Sequence, residues 1–159
     1  MQFFAWLLLN NHIQCKENLF KKKITDDSTC EICSHGAETA AHIMFECPFA
    51  KIFWDLIKVQ TSDITTAADI YKLARPSHIP ATHFDVFIIL CCWLLWKRRN
   101  DFIFQRQVTS MRQLVSQCKT EAQLWSHRLP AQSRNVASVW CSIFTAALEQ
   151  NNGASQVGM

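Results

Sequence analysis

Apolar residues along this chain recur three and four positions apart, which is the spacing of one face of an α-helix. Seven segments follow this pattern and predict helices, namely residues 3–9, 16–24, 49–58, 67–74, 84–104, 111–125 and 136–148. With only 3 Gly and 4 Pro, the chain offers few of the turn positions that an all-β fold needs. The pattern therefore predicts a mainly α protein, in which a small unit with short helices precedes a helical C-terminal region.

Polar segments divide the chain between these helices. Thr66 and Asp69 have the spacing of a capping pair for the helix at 67–74, and Pro76 ends that helix because the residue before a proline avoids the α region. The predicted organisation has four parts: a Cys- and His-rich unit at 1–58, a short helix and linker at 59–82, a helical region at 83–149 and a disordered tail at 150–159.

The longest apolar run covers residues 86–96, where 11 positions pass without a polar break. A helix needs about 20 apolar residues to cross a bilayer, whereas runs of about 10–14 are typical of buried helices. Lys97, Arg98 and Arg99 follow directly and place three charges at the end of the run. The run therefore predicts a buried helix, and no membrane partner is expected.

Composition and charge narrow the possible classes of protein. Hydrophobic residues make up 49% of the chain and charged residues 18%, which is enough apolar material for a packed core. The formal charge of +3 is too small to indicate nucleic-acid binding by itself. No Lys or Arg precedes the apolar segment at 3–9 and no cleavage pattern follows it, so a secretory signal is not expected. We predict an intracellular protein of the nucleus or cytoplasm, not a secreted one.

Four potential metal ligands lie in one 18-residue stretch with the pattern C-x2-C-x8-H-x4-C. They are Cys30, Cys33, His42 and Cys47. Zn²⁺ prefers thiolate and imidazole ligands and takes four of them at tetrahedral corners. Two cysteines three positions apart can bind one ion from a tight turn, and the eight-residue gap lets the chain return to that ion. The sequence therefore predicts one Zn²⁺ as cofactor.

All four positions around this zinc would be filled by the protein. A catalytic zinc keeps one position open for water, so this site is predicted to be structural, with no small-molecule substrate. Two alternatives stay open: an incidental cluster of buried thiols, and His35 in place of His42 as the fourth ligand. The remaining cysteines have no ligand-like partners and are predicted to pack in the core; they are Cys15, Cys91, Cys92, Cys118 and Cys141.

Three strings contain and flank the motif, and they are FFAWLLLNNHIQCKENLFKKKI, CEIC and ETAAHIMFECPFAKIFW, within residues 3–54. In order, they give an apolar helix with Trp, a basic helix, a C-x2-C turn, a Glu-Thr…His helix and Cys-Pro before a helix with Trp54. This order resembles the zinc-binding domain of plant non-LTR (LINE-type) retrotransposon reverse transcriptases. The later string CCWLLWKRRNDFIF is similar to the segment that follows this domain in such polyproteins.

The resemblance implies the same four zinc ligands that the spacing predicts, and it implies association with element RNA or target DNA. Reverse transcription needs paired acidic residues after an aromatic residue to hold two metal ions. Asp26 and Asp27 follow Ile24 and Thr25 in a polar loop and do not fit this pattern. The chain is therefore expected to be a non-catalytic fragment or domesticated remnant of a retroelement polyprotein, and not an enzyme.

Lysines flank the predicted zinc unit and could neutralise phosphates without reading a base sequence. The candidates for binding RNA or DNA are Lys16, Lys21, Lys22, Lys23 and Lys51. Phe49 or Trp54 could stack on an unpaired base if exposed. The alternative is that the lysines are a solvated helix face and that the two aromatic residues belong to the core.

Two other functions compete with nucleic-acid binding. A protein partner could dock on an exposed aromatic stripe, which would consist of Trp93, Trp96, Phe102 and Phe104. Catalysis would have to use His78 or His83 with Asp85 or Cys91. No Gly-rich phosphate loop or nucleophile elbow accompanies these residues, so catalysis is not expected.

Overall fold

The structure of the protein, a computed structural model, describes the backbone of residues 2–156 and the side chains of residues 2–151. Within this range the chain is mainly α, as predicted, and its β-type pairing is an isolated antiparallel bridge between Thr29 and Ala37. The α-helices are α1 (Gln2–Leu9), α2 (Lys16–Lys21), α3 (Pro48–Leu56), α4 (Phe84–Gln105), α5 (Met111–Ser126) and α6 (Arg134–Gln156). A π-helical turn covers His42–Glu46, and short 3₁₀ helices cover Ala67–Lys72 and Ala131–Ser133.

Local sequence signals account for several helix starts. The predicted capping pair is present, because the Asp69 carboxylate accepts a hydrogen bond from the Thr66 amide at 3.1 Å and the Thr66 hydroxyl accepts one in return. Ser110 and Gln113 form an equivalent box at the start of α5. Pro48 opens α3 at a position where no backbone N–H is needed. The two capping boxes satisfy backbone donors that a helix start otherwise leaves unpaired, and Pro48 removes one such donor.

One hydrophobic core runs through the described chain, from α1 to α6. α5 and α6 pack along each other, while α4 packs on α5 and on the π-helical turn. The rings of Phe87 and Trp140 lie 5.7 Å apart and connect α4 to α6. The rings of Phe4 and Trp96 lie 5.5 Å apart and connect α1 to α4. The Cys- and His-rich unit and the C-terminal helices therefore stabilise each other through shared apolar contacts.

The apolar run at 86–96 lies in the middle of α4, and most of its side chains are buried, as predicted. Among the helices that the structure describes, none combines the length and the apolar character needed to cross a bilayer.

Three segments differ from their predicted form. The helix predicted at 67–74 is a 3₁₀ helix that ends at Lys72, because Leu73 already has an extended ψ of 124° ahead of Pro76. The basic helix ends at Lys21, and Lys23 adopts a left-handed φ of 56°. The last helix, α6, continues to Gln156, into the part of the chain for which a disordered tail is predicted. No proline stops α6, and a single glycine costs a helix only about 1 kcal/mol. Residues 157–159 lie outside the described residues.

Candidate metal centre

Cys30 and Cys33 lie in a turn that a short β-type pairing holds closed. Thr29 and Ala37 form the isolated bridge, and the Cys30 amide donates a hydrogen bond to the Gly36 carbonyl at 3.1 Å. Gly36 has a φ of 70°, in the left-handed region that glycine adopts without a steric penalty. The two thiols can therefore approach one point from a single turn.

His42 and Cys47 are brought together by the π-helical turn. The Cys47 amide donates to the His42 carbonyl at 2.8 Å, which is a hydrogen bond between residues five apart. In a regular α-helix such residues point about 140° away from each other. A π-helical turn closes hydrogen bonds between residues five apart and so brings residue i+5 close to residue i; such turns are frequent at functional sites. Thr39 caps the turn, since its hydroxyl accepts a hydrogen bond from the His42 amide at 2.9 Å.

Pro48 and Trp54 complete the hydrogen bonding of this turn. Proline has no amide hydrogen, so the Met44 carbonyl lacks the donor that residue i+4 supplies in an α-helix. The indole Nε1 of Trp54 donates to that carbonyl at 2.6 Å, in a buried environment. Because an unpaired buried carbonyl costs about 1–3 kcal/mol, Trp54 stabilises the backbone that carries both ligands.

The four predicted ligands converge. One ligand atom from each of Cys30, Cys33, His42 and Cys47 lies within 4.8 Å of the other three. The Cys33 sulfur is 3.3 Å from Nε2 of His42. Metal–ligand distances of about 2.1–2.3 Å place the corners of a zinc tetrahedron about 3.6 Å apart, so these atoms need only small shifts to enclose one ion. The donor set and its spacing fit one zinc ion.

Backbone amides surround the three sulfurs. The amides two and three residues after Cys30 hydrogen bond to its sulfur, and the amide of Phe49 hydrogen bonds to the sulfur of Cys47. The His35 amide donates to the sulfur of Cys33 at 3.4 Å. Such N–H donors orient metal-bound thiolates and stabilise their negative charge. Three of the four ligands are buried and Cys33 is partly buried, as expected for a structural site.

The pKa values of these groups depend on one another. A hydrogen bond with the Cys47 thiol, followed by bonds from His42 and backbone amides, lowers the pKa of Cys30 against the opposing effect of burial. The same hydrogen bond and burial raise the pKa of Cys47, since adjacent thiolates repel each other. The hydrogen bond to Cys30 raises the pKa of His42. A divalent cation among these groups offsets the repulsion and lets all three cysteines bind as thiolates.

The imidazole of this cluster belongs to His42 and not to His35. His35 is exposed, and its Nδ1 hydrogen bonds to the Cys33 carbonyl. Nδ1 of His42 lies 3.9 Å from the Glu46 carboxylate, the type of group that often orients a metal-bound histidine. The remaining cysteines are free thiols that are buried or partly buried, as predicted; they are Cys15, Cys91, Cys92, Cys118 and Cys141.

The lysines predicted to contact nucleic acid fall into two groups. The Nζ atom of Lys16 lies 3.0 Å from Asp27 and 3.4 Å from Glu31, and this side chain is only 15% exposed. Lys16 therefore holds the loop before the metal centre. The others are exposed, namely Lys21, Lys22, Lys23 and Lys51. Among them Lys21 pairs with Glu17 at 3.0 Å, one helical turn away.

A buried ion pair next to the metal centre escaped sequence analysis. Glu38 is fully buried and pairs with Arg99 of α4, whose side chain is 3% exposed; Nε of Arg99 lies 3.2 Å from the carboxylate. The Lys16 amide donates to the same carboxylate at 2.9 Å. The pair connects positions 61 residues apart, so no local pattern could have revealed it. The pair fastens residues 30–47, which we call the metal-binding loop, to α4.

Arg98, on the same helix, also faces the metal centre. Its guanidinium lies 3.3 Å from the centroid of the Phe49 ring, and its Nε donates to the Thr109 carbonyl at 3.0 Å. Burial lowers the pKa of Arg98, and the negative charges of Cys47 and Cys30 partly offset this effect. Sequence analysis had assigned Arg98 only to the charged end of an apolar run.

The aromatic candidates are mostly covered. Trp54 is 1% exposed, and Phe49 lies under Arg98. These positions favour the alternative in which both aromatic residues belong to the core and do not stack on a base. In the stripe on α4, Trp93 and Trp96 pack against the core, whereas Phe104 is 69% exposed. Phe102 is partly buried. Only the end of the stripe is therefore open to solvent.

The residues considered for catalysis do not form an open site around Cys91. Its thiol is completely buried, and burial together with a hydrogen bond to Cys118 raises its pKa. Nε2 of His78 hydrogen bonds to the Ile57 carbonyl at 2.9 Å. The absence of enzymatic activity stays a prediction.

The helical frame and the Cys₃His donor set define a small zinc-binding module. Residues 1–54 match the family described as zinc-binding in reverse transcriptase, and the match includes all four ligands and Trp54. The match confirms the predicted resemblance to a zinc-binding domain of reverse transcriptases for about the first third of the chain, and the plant LINE-type origin stays a prediction. No curated protein and no solved structure gives a significant match.

Proposed function

We propose that the chain is a non-catalytic structural-zinc module, a fragment of a retrotransposon reverse transcriptase polyprotein of the plant LINE type, and that it assists the binding of RNA or DNA. The observation that carries this proposal is the convergence of four protein ligand atoms within 4.8 Å. Zinc held by these residues would act as a cross-link between the C-x2-C turn and the π-helical turn, with no position left for a reactant.

Exposed lysines beside the zinc unit support the nucleic-acid part of the proposal. Lys21, Lys22 and Lys23 follow one another at the end of α2 and after it, and all three are exposed. Phe20, which precedes them, is 47% exposed and offers a ring on which an unpaired base could stack. Lysines bind phosphates without reading sequence, so we expect binding that tolerates any base sequence and favours single strands.

The free thiols support a proposal about the cell compartment. All eight cysteines are free, and a secreted chain of this size with eight cysteines would usually form disulfides. We therefore place the protein in a reducing compartment, the nucleus or the cytoplasm.

Binding of the zinc-loaded chain to labelled single-stranded RNA, measured at several salt concentrations, tests this function. Replacing Lys21, Lys22 and Lys23 by Ala should weaken binding to all sequences alike. The slope of log K against log salt should fall by about 2, because each phosphate contact on a single strand contributes about 0.7. The matched control replaces Lys58, Lys97 and Arg134 by Ala; these residues are exposed and carry the same total charge.

The control separates a defined surface from a general effect of charge. Equal losses in the two triple variants would reject the lysine surface beside the zinc unit. If the zinc-loaded chain shows no binding, or binding that salt does not change, the nucleic-acid function is wrong and the zinc module stays unaffected.

A protein-interaction role is the alternative function. It draws on Phe104 and Val108, which are 69% and 72% exposed near the end of α4. This alternative gains support if RNA binding is absent while the chain self-associates or captures a partner in a manner that F104A abolishes.

A further inference from the structure

A narrow cavity separates the metal centre from α4. Its walls include Cys30 and Cys47 on one side and Arg98 and Arg99 on the other. The cavity volume is about 10 Å³, close to the smallest space that holds a single water molecule. Charges across this gap therefore interact with little screening by solvent.

Of the two arginines, only Arg98 has no carboxylate partner among the described contacts. Arg99 is neutralised by Glu38. Arg98 instead lies over the Phe49 ring and donates through Nε to the Thr109 carbonyl, and both contacts leave its positive charge uncompensated. Phe49 also supplies a backbone amide to the sulfur of Cys47, so the residue that positions the guanidinium belongs to the metal centre as well.

A Zn²⁺ ion with three thiolates and a neutral imidazole carries a net charge of about −1. Buried charges are costly unless an opposite charge lies nearby. We infer that Arg98 is the counter-ion of the zinc–thiolate cluster and that it thereby sets the zinc affinity of the site. Arg98 lies 51 positions after Cys47, the last ligand, and outside the matched residues 1–54. Its positive charge would nevertheless balance the net negative charge of the metal centre.

This inference rests on the zinc part of the proposed function, and one experiment tests it on the full chain. Zinc affinity is measured by competition with a chromophoric chelator for the wild type and for R98M, R98K and K97M. Loss of an outer-shell partner typically weakens metal binding about 10–100-fold, which is the loss expected for R98M. R98K keeps the charge and should stay within about threefold of the wild type. Lys97 is exposed on the same helix, so K97M should leave the affinity unchanged.

Each outcome has a defined meaning. An affinity of R98M within about threefold of the wild type would overturn the inference. If R98M fails to fold at saturating zinc, the zinc affinities of R98K and R98Q are compared instead. An R98K affinity as low as that of R98Q would show that Arg98 does not act through its charge, and the inference would be wrong. A wild-type chain that holds no zinc would reject the zinc module together with the inference, whereas a zinc-loaded wild type with an unaffected R98M rejects the inference alone.

Discussion

His35 and His42 show how the position of a residue decides its role. Both follow the C-x2-C turn within nine residues, and the sequence alone leaves both as candidate ligands. His35 is exposed and hydrogen bonds to the backbone of its own turn. Nε2 of His42 lies among the sulfurs, because the π-helical turn directs it there. Four residues can hold the metal, and a histidine seven positions away cannot substitute for one of them without a rearranged backbone.

Replacing His42 by Ala removes one corner of the tetrahedron, while replacing His35 by Ala removes an exposed ring. We expect H42A to lose more than about 100-fold in zinc affinity, since loss of an outer-shell partner alone costs about 10–100-fold. H35A should bind zinc like the wild type. Chelator competition and metal analysis of the purified proteins provide the measurement. Similar affinities for the two variants would contradict the assignment of His42 as a ligand.

At the scale of elements, the π-helical turn is the feature on which the site depends. In this turn the backbone hydrogen bond joins His42 and Cys47, which are five residues apart, whereas a regular α-helix joins residues four apart. Pro48 then removes an amide donor, and the Trp54 indole replaces it at the Met44 carbonyl. A tryptophan at this position is therefore required for its N–H group as much as for its apolar surface.

Replacing Trp54 by Phe keeps an aromatic ring but leaves the Met44 carbonyl unpaired. We expect the free energy of unfolding of the zinc-loaded chain to fall by about 1–3 kcal/mol, with a further loss from the smaller ring. W6F is the matched control, because Trp6 is 53% exposed and its loss should change stability by about 0.5 kcal/mol or less. Urea unfolding followed by circular dichroism compares them, and equal destabilisation would argue against the role of the indole hydrogen bond.

Helix positions and the ligand set could be read from local patterns, and the turn that connects them could not. The 3.6-residue spacing of apolar side chains identified α5 and most of α6, and the unbroken apolar run at 86–96 identified α4. The pattern C-x2-C-x8-H-x4-C identified all four converging residues. A π-helical turn has no spacing signal of its own, since it results from a missing proline N–H and a donor ten residues away from Met44.

At the scale of the whole molecule, the metal-binding loop and the C-terminal helices form one structure. They share one hydrophobic core, and the buried pair of Glu38 and Arg99 joins them across 61 positions. The sequence suggests a division at residue 58 because a polar segment follows the helix predicted at 49–58. It could not reveal this pair, since Glu38 appeared only in a motif and Arg99 only in a charged segment. Long-range pairing of charges depends on tertiary packing, which no local pattern specifies.

The Glu38–Arg99 pair makes the stability of the whole chain depend on one carboxylate. E38Q keeps the shape and an acceptor for the Lys16 amide, but it leaves the guanidinium of Arg99 charged and buried without a counter-ion. Breaking a buried pair in this way costs about 3–5 kcal/mol. The control is E31Q, because Glu31 pairs with Arg106 at 3.3 Å and with Lys16 at 3.4 Å near the surface, where each ion pair contributes only about 0–1 kcal/mol.

Urea unfolding of both zinc-loaded variants measures this difference, and a double variant separates lost pairing from lost packing. E38Q/R99M removes both charges and keeps the acceptor for the Lys16 amide, and removing both charges of a buried pair is far less costly than removing one. The double variant should therefore be more stable than E38Q, although it carries one more substitution. If E38Q is no less stable than E31Q, or the double variant is the least stable, the connection between the metal-binding loop and α4 rests on apolar contacts and not on this ion pair.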